Sequence, residues 1–339
     1  MLDSKRPRVP SPPRTRESRA IVPASTANLG PGFDSLGMAL PIFAGVSMKA
    51  AERTRIRLAG PNLDGVPTDK TNWMYAIAQQ VFSRAGADVP ELDIAIESDI
   101  PLTRGLGSSA AAIVGALAAA NGLIGGVLGK DELFQMATAL ERHPDNVGAA
   151  LYGGFVAAAW DGERAAAVRM EPPAGLDVLA VIPAFELSTK AARGVLPEQV
   201  SMEDAVFNVS HSSLLTAALA SGQLDVLRRA MRDRLHQPYR TSMIPGMTEV
   251  LQGAADHGAL GAVLSGAGPT LLMLVREDEP RRVELEDYVR STMGAAGVRV
   301  EARWMKPCAL GAEVTVLDRD GEPEPPLTAA LGKRPEVRA

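Results

Sequence analysis

The sequence predicts a chain of mixed helices and strands folded as two domains. Strand-like alternation recurs, as where Leu92, Ile94 and Ile96 alternate with Asp93, Ala95 and Glu97. Helical spacing interleaves with it, as at Trp73, Ile77, Val81 and Phe82. The stretch Glu171 to Gly175 (EPPAG) then interrupts a chain of 339 residues near its middle, a length that suits one large or two ordinary domains. The expected divisions are a basic arm over residues 1–19, domains over 20–174 and 175–317, and a loose tail over 318–339.

A net charge of −5 gives no global excess of base for a nucleic-acid partner. Cys308 is the one cysteine, which excludes an intrachain disulfide or a cysteine metal cluster and fits a reducing cytoplasm. Aromatic residues make up 4 % while Ala and Gly abound, so helices and sheets are expected to pack closely through small side chains. Ala110 to Leu128 carries no charge over 19 residues, enough to cross a membrane. Its Ala, Gly and Asn121 contribute little transfer energy, however, so a buried helix is expected and no membrane span.

Taken in order, residues 1–19 hold Lys5, Arg6, Arg8, Arg14, Arg16 and Arg19 among four prolines, with no hydrophobic run behind them. They read as a disordered arm, not a secretory signal. Ile21 and Val22 open the folded part. Pro23 to Leu40 (PASTANLGPGFDSLGMAL) is polar and Gly-rich between apolar runs. It reads either as an irregular hairpin loop or, through the amide of Asn28 and the carboxylate of Asp34, as a cradle for a small polar ligand. Val46 to Leu58 alternates as a strand, and Thr71 or Asn72 caps the helix through Phe82.

Lys130-Asp131-Glu132 starts a further helix, and Pro144 ends it. That gathers Glu141, Asp145 and Asn146 at a turn into a second helix through Tyr152. These acids could hold Mg²⁺ or handle a proton; Asp145 or Asn146 could equally cap the second helix. Gly153-Gly154 lead into a strand to Trp160, and Asp161-Gly162 make a hairpin turn. Beyond EPPAG, Val178 to Ile182 is a buried strand, and His211 to Ala220 and Leu224 to Leu235 are helical. Arg193 and Arg240 suit either a solvated or an anion-binding role. Gly258 to Val275 reads as strand, Gly-rich turn at Ser265 to Pro269, and strand, with Val298 to Trp304 a further strand.

Pro101 to Ala112 (PLTRGLGSSAAA) organises the rest. Pro101 stops the preceding strand, Gly105 and Gly107 let the backbone bend, and Ser108 and Ser109 suit the cap and first turn of an Ala-rich helix. A helix N-terminus behind glycines offers unpaired N–H groups and the positive dipole end to a phosphate. GLGSSA fits the loose dinucleotide pattern, but the strand before it alternates and the nearest acids, Asp131 and Glu132, open a helix. No Lys precedes the serine pair, so the Walker A pattern fails. A tight turn with a serine cap is the remaining account, and the loop by itself does not choose.

PASTANLGPGFDSLGMAL, then PLTRGLGSSAAA with ERHPDNVGAALYGG, then LSGAGPTLL occur in that order. Together they resemble the family of galactokinase, homoserine kinase, mevalonate kinase and phosphomevalonate kinase (the GHMP kinases) over about residues 20–315. Within it the homoserine kinases are most similar, through TANLGPGFDSLGMAL, HPDN and LHQPYR. The resemblance implies an α+β fold of two domains, the first like domain 2 of ribosomal protein S5 and the second ferredoxin-like. It implies an ATP- and Mg²⁺-dependent kinase that phosphorylates the side-chain hydroxyl of L-homoserine in threonine biosynthesis. A cytoplasmic homodimer without nucleic-acid or membrane partners goes with it. A sister kinase acting on another small alcohol such as threonine, or a silent ligand-binding member, is the alternative, and the intact serine pair and Asp-Asn pair disfavour the silent one.

By matching position, the resemblance assigns Pro101, Leu102, Thr103, Arg104, Gly105, Leu106, Gly107, Ser108, Ser109, Ala110 and Ala111 to the ATP loop, with Asn72 against the adenine. Ser109 and Glu141 are implied for Mg²⁺, with Gln135 or Glu132 at an alternative position. Asn28, Asp34, Asp145, Asn146, Arg193 and Arg240 are implied for homoserine, the arginines suiting its carboxylate and an acid its ammonium. Asp145, Asn146 and Ser109 are the implied catalytic residues, with positioning favoured over proton abstraction.

Overall fold

The computed structural model describes residues 9–60, 63 and 65–318. Two long strands, β1 (Arg16–Asn28) and β2 (Gly32–Ala50), form an antiparallel hairpin. Most of the polar stretch from Pro23 to Leu40 is therefore strand, and the loop is confined to Leu29, Gly30 and Pro31. Asn28 and Leu29 take left-handed backbone there, with φ of 69° and 48°. The expected strand from Val46 to Leu58 is two strands, because β2 ends at Ala50 and β3 (Arg55–Ala59) begins after a bend.

Helix α1 (Trp73–Ala85) crosses from β3 to β4 (Leu92–Ser98), which lie parallel. Asn72 caps α1 by accepting from the Met74 N–H, and Met74, Ile77, Ala78, Val81, Phe82 and Ala85 form its buried face. Next come α2 (Ser108–Leu123), α3 (Lys130–Glu141), α4 (Pro144–Tyr152), β5 (Phe155–Trp160) and β6 (Ala165–Met170). α2 is buried almost throughout, as expected of its small side chains, and among the described residues no helix is long and apolar enough to cross a membrane.

The second sheet holds β7 (Leu176–Pro183), β8 (Ala259–Leu264), β9 (Leu271–Arg276) and β10 (Val300–Met305). Its order is β10-β7-β9-β8, all antiparallel, which is the ferredoxin-like arrangement. Helices α5 (Thr189–Gly194), α6 (Met202–Ser221), α7 (Leu227–Ala230), α8 (Gln237–Arg240) and α9 (Met247–Gly253) lie between β7 and β8; α10 (Arg282–Ala295) joins β9 to β10. The expected helix from Leu224 to Leu235 is much shorter. After α7 the chain wraps around Asp233, whose carboxylate accepts from the N–H groups of Leu235, His236 and Gln237 at 2.9, 3.0 and 2.7 Å.

β7 explains its own uninterrupted hydrophobicity. Val178, Ala180 and Ile182 join the core shared with the first sheet, whereas Leu179 and Val181 join a second core with α9 and α10. Both faces are covered, so both residue parities are apolar.

Two expected boundaries move. The described end of the basic arm is structured: Arg14 pairs with Glu52 at 2.6 Å, β1 starts at Arg16, and Arg19 pairs with Glu17 while buried. Lys5, Arg6 and Arg8 lie outside the described residues. At the other end, β11 (Glu313–Asp318) leaves the second domain and pairs with β1, completing a seven-stranded sheet of order β11-β1-β2-β4-β3, with β5 paired to β2 and β6 to β5. The tail expected over 318–339 lies outside the described residues after Asp318.

Candidate active site

The three glycine-rich stretches meet at one cleft. The hairpin tip of β1 and β2 is tied to the turn between β8 and β9 by Gly266 N–H donating to Ala27 O (3.1 Å) and by the Asn28 amide donating to Gly266 O (2.9 Å). That turn is bound to the loop before α2 by Ser265 Oγ donating to Gly105 O at 2.6 Å and by Thr270 N–H donating to Arg104 O at 3.3 Å. A Cβ at Gly105 would overlap Ser265 O, so glycine permits this approach. Arg104 clasps the second domain, donating to Pro183 O (3.0 Å) and Ala184 O (2.9 Å).

Gly107, with φ 65° and ψ 28°, is the N-cap of α2. Ser108 and Ser109 therefore stand in the first turn and neither caps it, which corrects the expected serine cap. Thr103, Gly105, Gly107, Ser108 and Ser109 line the cleft, so the open N–H groups of the helix start face it. Leu106, Ala110 and Ala111 turn into the core, and Pro101 and Leu102 stay at the surface of the loop, half-buried. Asn72, expected at the adenine, is buried, donates to Pro67 O at 2.7 Å and caps α1, and it does not line this cleft.

Opposite the amide cradle stand the side chains from Asn28, Asp34, Glu141, Asp145, Asn146, Arg193 and Arg240. Asp34 takes left-handed backbone, φ 54°, held by its N–H donating to Asn28 Oδ1 at 3.0 Å. Its carboxylate accepts two bonds from Arg193, at 2.6 and 3.0 Å. That pairing raises Arg193 above its ordinary value. Arg240 is 1 % exposed; Nε donates to Ala192 O and Nη1 to Gly266 O and His236 Nδ1, at 3.0, 3.1 and 3.1 Å. Burial first, then repulsion from Arg193, lowers Arg240 to about 10.

Pro144 opens α4 after His143, the N-cap, so neither Asp145 nor Asn146 caps that helix; both lie in its buried first turn. Asp145 Oδ1 accepts from the Asn146 N–H and bonds His143 Nδ1, each at 2.7 Å. Ser25 Oγ donates to Asn146 Oδ1 at 2.8 Å, and among the described residues the Asn146 Nδ2 has no partner. Burial opposes the charged form of His143, but its bond to Asp145 and the charges of Asp145 and Glu141 outweigh it, so its pKa is raised. The Asp145 carboxylate only accepts, so His143 Nδ1–H is the donor. Burial raises Glu141. His143, Phe33 and Thr189 also line the cleft and were not anticipated.

Two groups of oxygen and nitrogen donors are candidates for a metal. Ser109 Oγ donates to Glu141 Oε2 at 2.9 Å, a hydroxyl and a carboxylate beside the amide cradle, and such hard oxygen donors suit Mg²⁺. Asp34, His143 and Asp145 also converge. That set fits Mg²⁺ less well, since one donor is an imidazole and Asp34 is already engaged by Arg193. Gln135 and Glu132 are spent elsewhere, Gln135 on Ala165 and Glu132 on the Gly129 N–H that starts α3.

Residues 72–154 match the family model of the GHMP kinases N-terminal domain, and residues 215–293 that of the GHMP kinases C-terminal domain. The homoserine kinase of Moorella thermoacetica is 46% identical over 293 residues, 86% of this chain and 98% of that protein. That of Deinococcus radiodurans is 43% identical over 288 residues, 85% and 93%. The crystal structure of homoserine kinase from Cytophaga hutchinsonii superposes with a TM-score of 0.77 at 27% identity, covering 88% of this chain and 97% of the other. A helix N-terminus behind glycines, facing acids and arginines on this two-domain scaffold, accords with that kinship: the chain belongs to the GHMP kinase family, alongside its homoserine kinases.

Proposed function

We propose that this protein transfers the γ-phosphoryl group of ATP to the side-chain hydroxyl of L-homoserine, giving O-phospho-L-homoserine for threonine biosynthesis. The carrying observation is Asp34, Arg193 and Arg240 gathered in one cleft opposite the N–H groups of Gly105 to Ser109. The arginines match an α-carboxylate and Asp34 an α-ammonium, while a simple hydroxy acid would leave Asp34 unanswered and a neutral sugar all three charges.

In this reading the N–H groups at the start of α2 hold the phosphates, in place of a Walker lysine. Ser109 and Glu141 would hold Mg²⁺, which when bound supplies charge neutralisation to the phosphate oxygens. Asn146, its Oδ1 fixed by Ser25, presents Nδ2 to the substrate hydroxyl. Asp145 Oδ1 is committed to His143 and to the Asn146 backbone, which supports a positioning role over proton abstraction. Asn28 has both ends of its amide engaged and acts by fixing Asp34 and the Gly266 turn. The proposed assembly is a cytoplasmic homodimer free of nucleic acid and membrane; the net charge of −5 speaks against a nucleic-acid partner, and light scattering would check the dimer.

The test is an ADP-release assay with Mg-ATP and homoserine, threonine, serine, mevalonate or galactose as acceptor. Homoserine is expected to give by far the highest kcat/KM. Turnover of another acceptor without turnover of homoserine would refute the assignment.

A further inference from the structure

The segment from Leu235 to Arg240 (LHQPYR) contributes a second residue besides Arg240. His236 is fully buried. Its Nδ1 meets Arg240 Nη1 at 3.1 Å and its Nε2 meets Gly30 O at 2.8 Å. A guanidinium only donates and a carbonyl only accepts, so Nδ1 must be bare and Nε2 must carry the proton. The two neighbours thus select one neutral tautomer. Asp233 lies 3.6 Å from His236 Nε2, but its carboxylate is filled by backbone N–H groups.

The ring is held in plane as well. Phe33, next to Asp34 on β2, stacks on His236 with centroids 5.1 Å apart and planes 23° apart. The same Phe33 ring has the guanidinium carbons of Arg193 and Arg240 at 5.4 and 5.5 Å. One aromatic ring therefore spaces two like charges, while His236 fixes the rotation of the deeper one. With Nε on Ala192 O and Nη1 shared between His236 and Gly266 O, Nη2 is the edge of Arg240 left for a ligand.

We infer that His236, through its Nδ1 acceptor and its stack on Phe33, is a positioning residue that aims Arg240 at the substrate carboxylate. This rests on the proposed role of Arg240 in homoserine binding. His236 touches no substrate in this scheme, so its removal acts on carboxylate recognition and leaves nucleotide binding alone.

Two near-isosteric variants separate the role from packing. His236→Asn retains an acceptor near the Nδ1 position, whereas His236→Gln retains a donor near Nε2 and loses the acceptor. His236→Gln is expected to raise the homoserine KM tenfold or more with an ATP KM within twofold of wild type, and His236→Asn to stay within about threefold on both. KM reads only folded molecules, so partial unfolding would lower apparent kcat without mimicking the effect. Selectivity for homoserine over 3-aminopropan-1-ol, which lacks the carboxylate, is expected to fall in step. The double variant His236→Gln/Arg240→Ala should be no worse for homoserine than Arg240→Ala alone. Equal KM values for the Asn and Gln variants, or additive losses in the double variant, would overturn the inference and leave the carboxylate assignment standing. Should His236→Gln fail to fold, a tenfold weaker homoserine affinity in His236→Asn would overturn it. A homoserine KM unchanged in Arg240→Ala would overturn both readings.

Discussion

Gly107→Ala tests the phosphate cradle through its backbone. At φ 65° a side chain costs roughly 1–2 kcal/mol that glycine avoids. The new Cβ would overlap Ser25 Oγ and stand 2.9 Å from Asn146 Oδ1, so the Ser25 hydroxyl must leave its 2.8 Å bond to Asn146. A buried acceptor stripped of its donor adds roughly 1–3 kcal/mol. The sum is about 3 kcal/mol, and at about 2 °C per kcal/mol for a long chain it lowers Tm by about 6 °C. Scanning calorimetry on the wild type, Gly107→Ala, Ser25→Ala and the double variant reads it. Ser25→Ala already forfeits the bond and makes room, so adding Gly107→Ala should then cost only the backbone share, about 1–2 kcal/mol. A Gly107→Ala melting point equal to wild type, or strictly additive losses, would refute the claim that glycine is required here by both its φ and its neighbour.

Three shorter predictions bear on the chemistry. Ser109→Ala removes the hydroxyl bonded to Glu141 and should lower kcat while raising the Mg²⁺ concentration needed for half-maximal rate; an unaltered Mg²⁺ dependence would exclude Ser109 as a ligand. Asp34→Asn exchanges the proposed charge-assisted bond to the substrate ammonium, worth about 1.5–3 kcal/mol, for a neutral one worth about 0.5–1.5, so the homoserine KM should rise roughly 5- to 10-fold in titration assays with ATP saturating; an equal rise in the ATP KM would contradict it. Burial holds His236 below its ordinary 6.5, so the unfolded chain takes up a proton there that the fold refuses, and stability falls as pH drops through 6.5. His236→Asn lacks this loss and should melt with a flatter pH profile below 6.5. His143, raised in the fold, works in the opposite sense but is common to both proteins and cancels. Parallel profiles would be the contrary result.

Where one residue's neighbours are close in sequence, the pattern was enough. The Asn72 cap, the β5–β6 hairpin at Asp161-Gly162, and the alternation of β4 all follow from local chemistry. α10 escaped because it buries only Leu285, Val289 and Met293, a single narrow row among Arg282, Glu284, Glu286, Asp287 and Arg290. β11 escaped for a different reason. Its strand is short and exposed, and its partner, β1, lies some three hundred residues earlier, so nothing local marks the pairing. The serine cap failed because Gly107, already placed for its left-handed φ, occupies the cap itself. The site was legible only through resemblance, since Asp34, Asp145, Arg193 and Arg240 stand on four separate elements. His236 stood inside a motif noted for its likeness, and only the bonds to Arg240 and Gly30 give it a task.

In the proposed reading, the Asp34–Arg193 pair shapes which ligands the cleft can take. These ions hold one another with two bonds at the half-exposed edge of the cleft. A ligand bearing one charge would engage one of them and strip the other of its partner, and an ion left unpaired in a partly buried site is penalised by far more than a neutral group. A zwitterion avoids that loss: its carboxylate replaces Asp34 at Arg193 while its ammonium replaces Arg193 at Asp34, so both ions exchange one opposite charge for another. Arg240, buried and fixed by carbonyls and His236, then adds a second cation that no movable acid in the cleft has already claimed. On that reading, the preference for an amino acid over a hydroxy acid thus lies as much in what the pair would lose to the wrong ligand as in what it gains from the right one.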